Sequence, residues 1–429
     1  MRVAVIGAGW AGLAAAVAAT QAGHHATVFE ASRTLGGRAR VVQGLLPDGC
    51  DVALDNGQHI LIGAYSETLR LMELVDADPT NALLRLPLTL RFHDGSGVEF
   101  PRWPSPFDAA AGIARARGWS LLDKLSLLKS SASWQMRGFT CDRNVTVTQL
   151  CSSLRPKIMA ELIEPLCVSA LNTPAVRASG QVFLRVLRDS LFGAAGSSNL
   201  LLPKVDLTSL FPTPAARWLE TRGARLKMAS RVDQLTPTAH PGGWYIDGEA
   251  FDHVILATSA SHASALVDAS VQLGNGSSTL AMRAWADAAR ALQFEAISTV
   301  YAFATGARLS QPMLTLRGQP AQFVFDRGQL GGPAGLLAFV VSASAGDRGT
   351  LEGAVVAQAR SQLNLAVQPI QTIVEKRATF ACTPDLLRPT PFIAPGLVAC
   401  GDYCEGPYPA TLEGAVRSAI AAVKLLRAP

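Results

Sequence analysis

No block of basic residues marks this chain out for nucleic acid. Lys and Arg number 38 against 33 Asp and Glu, a formal net charge of +5. The excess is spread along the sequence, which excludes the dense Lys/Arg arm of a nucleic-acid binder. Cysteine is scarce and unpatterned: seven residues, an odd number, with no Cys-x-x-Cys and no His/Cys cluster at ligand spacing. Reduced thiols in a cytoplasmic protein fit that usage, and no metal site is expected. No apolar run of about 18 residues passes without interruption, so no spanning helix is expected. The start, MRVAVIGAGWAGLAAAVAA, imitates a signal peptide, but a glycine-patterned turn breaks it. Internal repeats and low-complexity tracts are missing. So is lysine, between Lys227 and Lys376.

What is present begins with size. A chain of 429 residues, 49% hydrophobic, exceeds one ordinary core and suggests two domains, interleaved in sequence. The first unit, RVAVIGAGWAGLAAAVAATQAGHHATVFEA, reads as strand, helix, strand. Val3 to Ile6 is a buried strand, Leu13 to Ala22 a helix capped by Gly23, and Ala26 to Phe29 a second strand ending at Glu30. Gly7, Gly9 and Gly12 form Gly-x-Gly-x-x-Gly around Trp10 and Ala11. Gly7 permits a tight turn, Gly9 lets a pyrophosphate approach the backbone, and Gly12 lets the helix pack closely on the sheet. The helix start offers free N–H groups to phosphate, and Glu30, followed by Ala31, can accept from a ribose diol. This predicts dinucleotide binding and leaves NAD and FAD open. Gly36, Gly37 and Arg38 then add a second glycine pair and a charged donor for the pyrophosphate.

This arrangement resembles the FAD-binding start of the flavin amine oxidase and phytoene desaturase superfamily, which often has Arg where Ser32 stands here. The end of the chain, GLVACGDYCEGPYPATLEGAVRSAIAAVKLL, reads as a strand (Leu397 to Ala399), Gly401-Asp402, a Pro-rich turn and a buried helix from about Thr411. By resemblance, Asp402 contacts the ribityl-pyrophosphate region and the Leu412 N–H the isoalloxazine carbonyl. A middle piece, GARLKMASRVDQL, reads as strand, turn, strand. There the resemblance implies that Val232 pairs its backbone with adenine and that Ala257 lies at a turn near the cofactor. The expected fold class is α/β: a Rossmann-like FAD-binding domain in three pieces (1–75, 205–265, 380–429) with an inserted α+β substrate domain (76–204, 266–379).

The stretch LDNGQHILIGAY carries an Asn-Gly pair, the strongest short signal for a hairpin turn, and then Gln58 and His59 within an oily run. By the same superfamily resemblance, Gly57 is expected where a side chain would strike the flavin. From Ala114 to Arg143, basic residues alternate with Trp and Leu. That pattern suits either an anionic bilayer or a core-packed helix with a solvated basic face. Localisation is thus expected to be cytoplasmic, with peripheral contact at the membrane's inner face left open.

LDNGQHILIGAY, EKRATFACTPDLLRPTP and GDYCEGPYPATLEGAVRSA together resemble the squalene-associated FAD-dependent desaturase group. That group's assigned activity is hydroxysqualene dehydroxylation in bacterial isoprenoid and hopanoid biosynthesis. The resemblance implies a hydride passing from reduced flavin N5 to an allylic cation of hydroxysqualene to give squalene. A proton donor for the departing hydroxyl is then required. His59 is the first candidate, followed by Tyr403, Glu405 and Tyr408. No second Gly-x-Gly-x-x-Gly follows a strand, so an external electron donor or reductase is expected. Many amine oxidases of the superfamily place a lysine near flavin N5 in this part of the chain, so by that resemblance the gap between Lys227 and Lys376 disfavours amine oxidation. Two rivals share the fold: a carotenoid-type desaturase, and a non-catalytic prenyl-binding protein like the GDP-dissociation inhibitors of prenylated GTPases.

Overall fold

The computed structural model describes residues 1–104, 107–240, 242–271 and 277–426. Residues 272–276 of the expected substrate domain and the last three of the expected C-terminal piece lie outside them. Two sheets organise the rest. The first has six strands, in the order Arg225–Lys227, His25–Phe29, Arg2–Ile6, His253–Leu256, Leu397–Ala399 and Phe392–Ala394. All neighbours are parallel except the last pair. The inner strands are continuous apolar runs because helices cover both faces of such a sheet. Leu13, Val17 and their alanine neighbours are buried all round, and the helix Trp10–Gln21 packs against the C-terminal helix Leu412–Lys424. That first helix begins earlier than its apolar pattern suggested, at Trp10, with Gly9 as its cap. Gly23, at φ +81°, ends it as expected.

The second sheet is antiparallel, in the order Met313–Thr315, Phe323–Asp326, Leu336–Ser342, Phe294–Phe303 and Gln368–Phe380. Alternation divides its side chains between two cores. Phe323, Phe325 and Val340 join the core shared with the first sheet, while Val324, Phe339 and Val341 pack under the helix Arg348–Leu363. The described part of residues 76–204 is mainly helical, with short strands at Leu83–Leu86, Thr89–Arg91, Gly97–Glu99 and Leu200–Pro203. Among the described residues no helix is long and apolar enough to cross a membrane.

Two local expectations are corrected. Asn56-Gly57 does not close a hairpin. Asp51–Asp55 pairs with Val41–Leu45, whereas Leu61–Ile62 pairs with Leu200–Pro203 in another sheet. Neither residue has the positive φ that such a turn requires. In GARLKMASRVDQL only Arg225–Lys227 is a strand. Ala229 turns at φ +53°, and the N–H groups of Ala229 and Ser230 donate to the carbonyls of Ser32 and Glu30. The chain is thereby diverted along the 30–32 loop instead of returning to a sheet.

Candidate functional site

One cavity of about 980 Å³ runs between the two sheets. Its first end is built of backbone. Gly7, at φ +108°, makes the turn after the first strand, and a Cβ there would lie 2.8 Å from the Ala257 carbonyl. Gly12 does not line the cavity. A Cβ on it would lie 1.8 Å from the Gly7 carbonyl oxygen, so it serves the close helix packing. Gly9 is different. Its φ of −76° suits any residue, and a Cβ would meet no protein atom nearer than 3.8 Å. Nothing in the chain requires glycine there; a side chain would fill the cradle. No side chain caps the helix that follows, so its first N–H groups remain free donors where Gly9, Trp10 and Ala11 line the cavity.

Glu30 and Ala31 line the same end. The Glu30 carboxylate accepts from the N–H of Ala8 and of Ser32 at 2.7 and 2.8 Å, which fixes it and leaves lone pairs for a diol. Val232 lines the cavity as well. Further in, Gly37, Arg38, Ala257, Gly401, Asp402 and Leu412 converge. The expected donor and the expected acid face each other: Arg38 bonds Asp402 at 2.5 Å and the Ala378 carbonyl at 2.7 Å. Asp402 raises the Arg38 pKa further. Leu412 opens the C-terminal helix, where the Thr411 hydroxyl caps the Gly414 N–H and leaves that of Leu412 without an intrahelical acceptor. Glu413 points the other way, accepting from Thr68 and Arg417, and pins this helix to Ser66–Leu74.

The DNGQH stretch crosses the middle. A Cβ on Gly57 would meet only Thr299 Oγ1 at 3.8 Å and His59 Cε1 at 3.9 Å, so here too the open side is the cavity. His59 lines it, with Nδ1 2.7 Å from the Gly57 carbonyl. Burial and the nearby Arg38 lower its pKa, against the opposing pull of the Gly57 carbonyl. The ring is therefore neutral, Nδ1–H donates to Gly57, and Nε2 is left as an acceptor. In that form Nε2 carries no proton, so a donor role for His59 would need the charged ring.

Behind the stretch sits a buried network. Arg327 donates to Gln58 Oε1 at 3.1 Å and pairs with Asp55 at 3.9 Å. The Asp55 carboxylate accepts from the Leu207 N–H, and its backbone carbonyl accepts from the Tyr301 hydroxyl. Burial pushes the Asp55 pKa up to about 6, despite Arg327 and Leu207.

The far end is apolar. The helix Gly180–Leu191 contributes Phe183, Val186, Leu187 and Leu191, and the antiparallel sheet adds Ile297, Phe323, Phe325 and Val340. Of the remaining proton-donor candidates, only Tyr408 lines the cavity. Glu405 is exposed on the outer side of its turn, where its N–H donates to the Pro389 carbonyl. Tyr403 is buried behind the wall beside the Cys404 thiol, and burial raises its pKa well above the ordinary value. Burial, and then the adjacent Asp189, also raise the Tyr408 pKa. Its phenol stays protonated at neutral pH.

Three lining residues escaped the sequence reading. Asp189 interrupts the apolar cavity face of its helix, and its Oδ2 is buried without a hydrogen-bond partner. Glu375 and Arg377 lie on the strand Gln368–Phe380, whose Ala378 and Thr379 line the cavity as well. The unbroken charged run Glu375-Lys376-Arg377 gives no alternation that would have picked that pair out. Among the described residues, no lysine lines the cavity.

Comparison with known proteins agrees with this geometry. The chain is 27% identical to a hydroxysqualene dehydroxylase of Rhodopseudomonas palustris, covering 99% of this chain and 98% of that one. It is 24% identical to a hydroxysqualene dehydroxylase of Sinorhizobium fredii, covering 97% and 96%. The crystal structure of an oxidoreductase from Methanosarcina mazei superposes with a TM-score of 0.71 at 16% identity, over 99% of this chain and all of that one. The family model of flavin containing amine oxidoreductases matches residues 10–426. The chain belongs to that family, and FAD is its cofactor.

Proposed function

We propose that the protein removes the hydroxyl of hydroxysqualene to give squalene, by reduction, with electrons from an external donor. The observation that carries this is the apolar arm of the cavity, from Phe183 to Phe325, opening off a glycine-built dinucleotide end. A polyprene buries its length against such walls at roughly 25 cal/mol per Å² of apolar surface. Two relatives that match over nearly their whole length bear the same name. The absence of lysine from the described lining speaks against amine oxidation.

The residues would divide the work as follows. Gly9, the N–H groups at Trp10 and Ala11, Glu30, Val232, Arg38, Asp402 and the Leu412 N–H would hold FAD. Reduced FAD supplies a hydride when bound. Gly57 keeps the space beside the DNGQH stretch clear of side chain. The Tyr408 Oη–H gives its proton to the allylic hydroxyl as the C–O bond breaks. Water leaves, and the substrate carbon becomes a delocalised cation, which the hydride that bound FAD would supply could quench. Asp189, beside Tyr408, keeps an unpartnered carboxylate oxygen that could accept from the phenol and orient it, and the proton that Tyr408 gives up would be replaced from solvent. The dry walls keep water from capturing the cation first.

Anaerobic, photoreduced enzyme mixed with hydroxysqualene should yield squalene by mass spectrometry. Unchanged hydroxysqualene would refute the proposal. A desaturated product from oxidised enzyme and a polyene would favour the carotenoid-type rival, whose substrate the same apolar arm would suit. Rapid reduction of the purified enzyme by NADPH alone would remove the external donor.

A further inference from the structure

The helix Leu121–Met136 wears its leucines on the outside. Its buried positions are Asp123, Leu127, Ser130 and Trp134. Leu121, Leu122, Leu125, Leu128 and Met136 are 71, 60, 50, 38 and 82% exposed. At about 100° per residue these five fall within one arc of roughly 120°, opposite the buried four. A helix on the surface of a soluble domain is expected to show the reverse. The orientation is fixed by polar anchors at the inner side. Ser120 and Asp123 form a capping box, and the Asp123 carboxylate is held by Arg155. The leucines cannot turn inward without breaking both.

The neighbouring segment extends the same surface. Trp103 and Phe107 are 50 and 66% exposed, and the Arg115 guanidinium lies over the Trp103 ring at 4.8 Å. Charge is one-sided. Residues 101–140 contain Arg102, Arg115, Arg117, Lys124, Lys129 and Arg137. Their acids are Asp108 and Asp123, both buried. Within residues 101–140 the exposed charges are therefore all cations, set among leucines. It also adjoins the cavity: Asp108, next to Phe107, accepts from Ser198, which lines the cavity wall.

We propose that this face docks on the surface of a bilayer containing anionic phospholipid, with the leucine arc in the acyl boundary and the cations at the phosphates. Apolar area gives the attachment its strength, and the cations give its preference for negative headgroups. Docking would place the wall near Ser198 close to the membrane, where an apolar substrate is dissolved. The surface stands on its own, whatever the substrate, and vesicle binding tests it without turnover.

The FAD-loaded full chain should float with phosphatidylcholine vesicles containing phosphatidylglycerol, and much less with phosphatidylcholine alone. Leu122→Glu with Leu125→Glu, both outward and both compatible with a helix, should weaken flotation roughly 10-fold. Lys129→Gln with Arg137→Gln should weaken it by a similar factor and erase the preference for phosphatidylglycerol. An unchanged flavin spectrum verifies that the variants fold. No flotation of the wild-type chain, or flotation unaffected by the leucine pair, overturns the proposal. So does a wild-type dimer in sedimentation that the leucine pair dissociates without any lipid binding; the face would then be a contact between copies.

Discussion

The two ends of the cavity are made of different materials. At the nucleotide end the chain binds with backbone: Gly9 stands aside, and the free N–H groups at Trp10 and Leu412 point in. At the apolar end it binds with side chains from a helix and a sheet far apart in sequence. A backbone site tolerates no added atom, whereas a side-chain site depends on identity. Mutations should therefore fail in different ways at the two ends, and the stretch between them should fail in a third.

Tyr408→Phe tests the apolar end most severely. Loss of a positioned proton donor should lower kcat by about 10²- to 10⁴-fold, while FAD content and absorbance stay normal. Single-turnover kinetics with photoreduced enzyme measures this. A change under 10-fold would move the proton elsewhere.

Arg327→Met tests the middle. It strands the buried Asp55 carboxylate and should cost about 3–5 kcal/mol of stability in denaturant titration at neutral pH. The folded pKa of Asp55 lies above its unfolded value, so protonation favours the fold. Its contribution is full below the unfolded value of about 4 and is lost as pH rises through about 6. The penalty of Arg327→Met should accordingly shrink as pH falls below 6. A pH-independent penalty would show that the pair is not the cause.

Gly9→Val tests the nucleotide end. No protein atom obstructs the new side chain, so the apoprotein should fold with unchanged circular dichroism. Crowding of the cradle should cost about 1–3 kcal/mol of FAD affinity, roughly 5- to 150-fold. Unfolding with affinity intact would mean that Gly9 serves the fold. His59→Gln is the mildest case. A neutral ring that donates only to Gly57 should be worth one hydrogen bond, about 1 kcal/mol, or roughly 5-fold in turnover. A 100-fold loss, with a pH profile shifted from wild type, would restore His59 as the acid.

The same contrast explains what could be read from the sequence. Gly7, Gly12 and Gly23 leave traces at fixed spacing because each answers a constraint within its own unit. Gly401-Asp402 and the helix after Thr411 were equally plain. Asp189 was not: an acid on a helix is ordinary until the fold turns that face toward a cavity. Arg327 was hidden for another reason, since its partner Gln58 is 269 residues away. Tyr403 and Glu405 share a turn with Tyr408, and proximity in sequence suggested a common role. The turn sends one inward behind the wall, one outward, and only the third to the cavity. The leucine spacing of Leu121–Met136 announced a helix but not which face the fold would hide. The interleaved boundaries proposed for the FAD-binding piece, 1–75, 205–265 and 380–429, remain a way to organise further truncation work.

The clasp between Arg38 and Asp402 joins points 364 residues apart. It closes only when the C-terminal strand and helix have taken their places beside His253–Leu256 and Trp10–Gln21. During synthesis the N-terminal unit leaves the ribosome first, with its glycine turn formed and the partner helix still untranslated. Flavin binding should therefore depend on docking of that strand and helix, and yellow colour becomes a readout of their docking: a polypeptide stopped before Leu397 is expected to purify colourless.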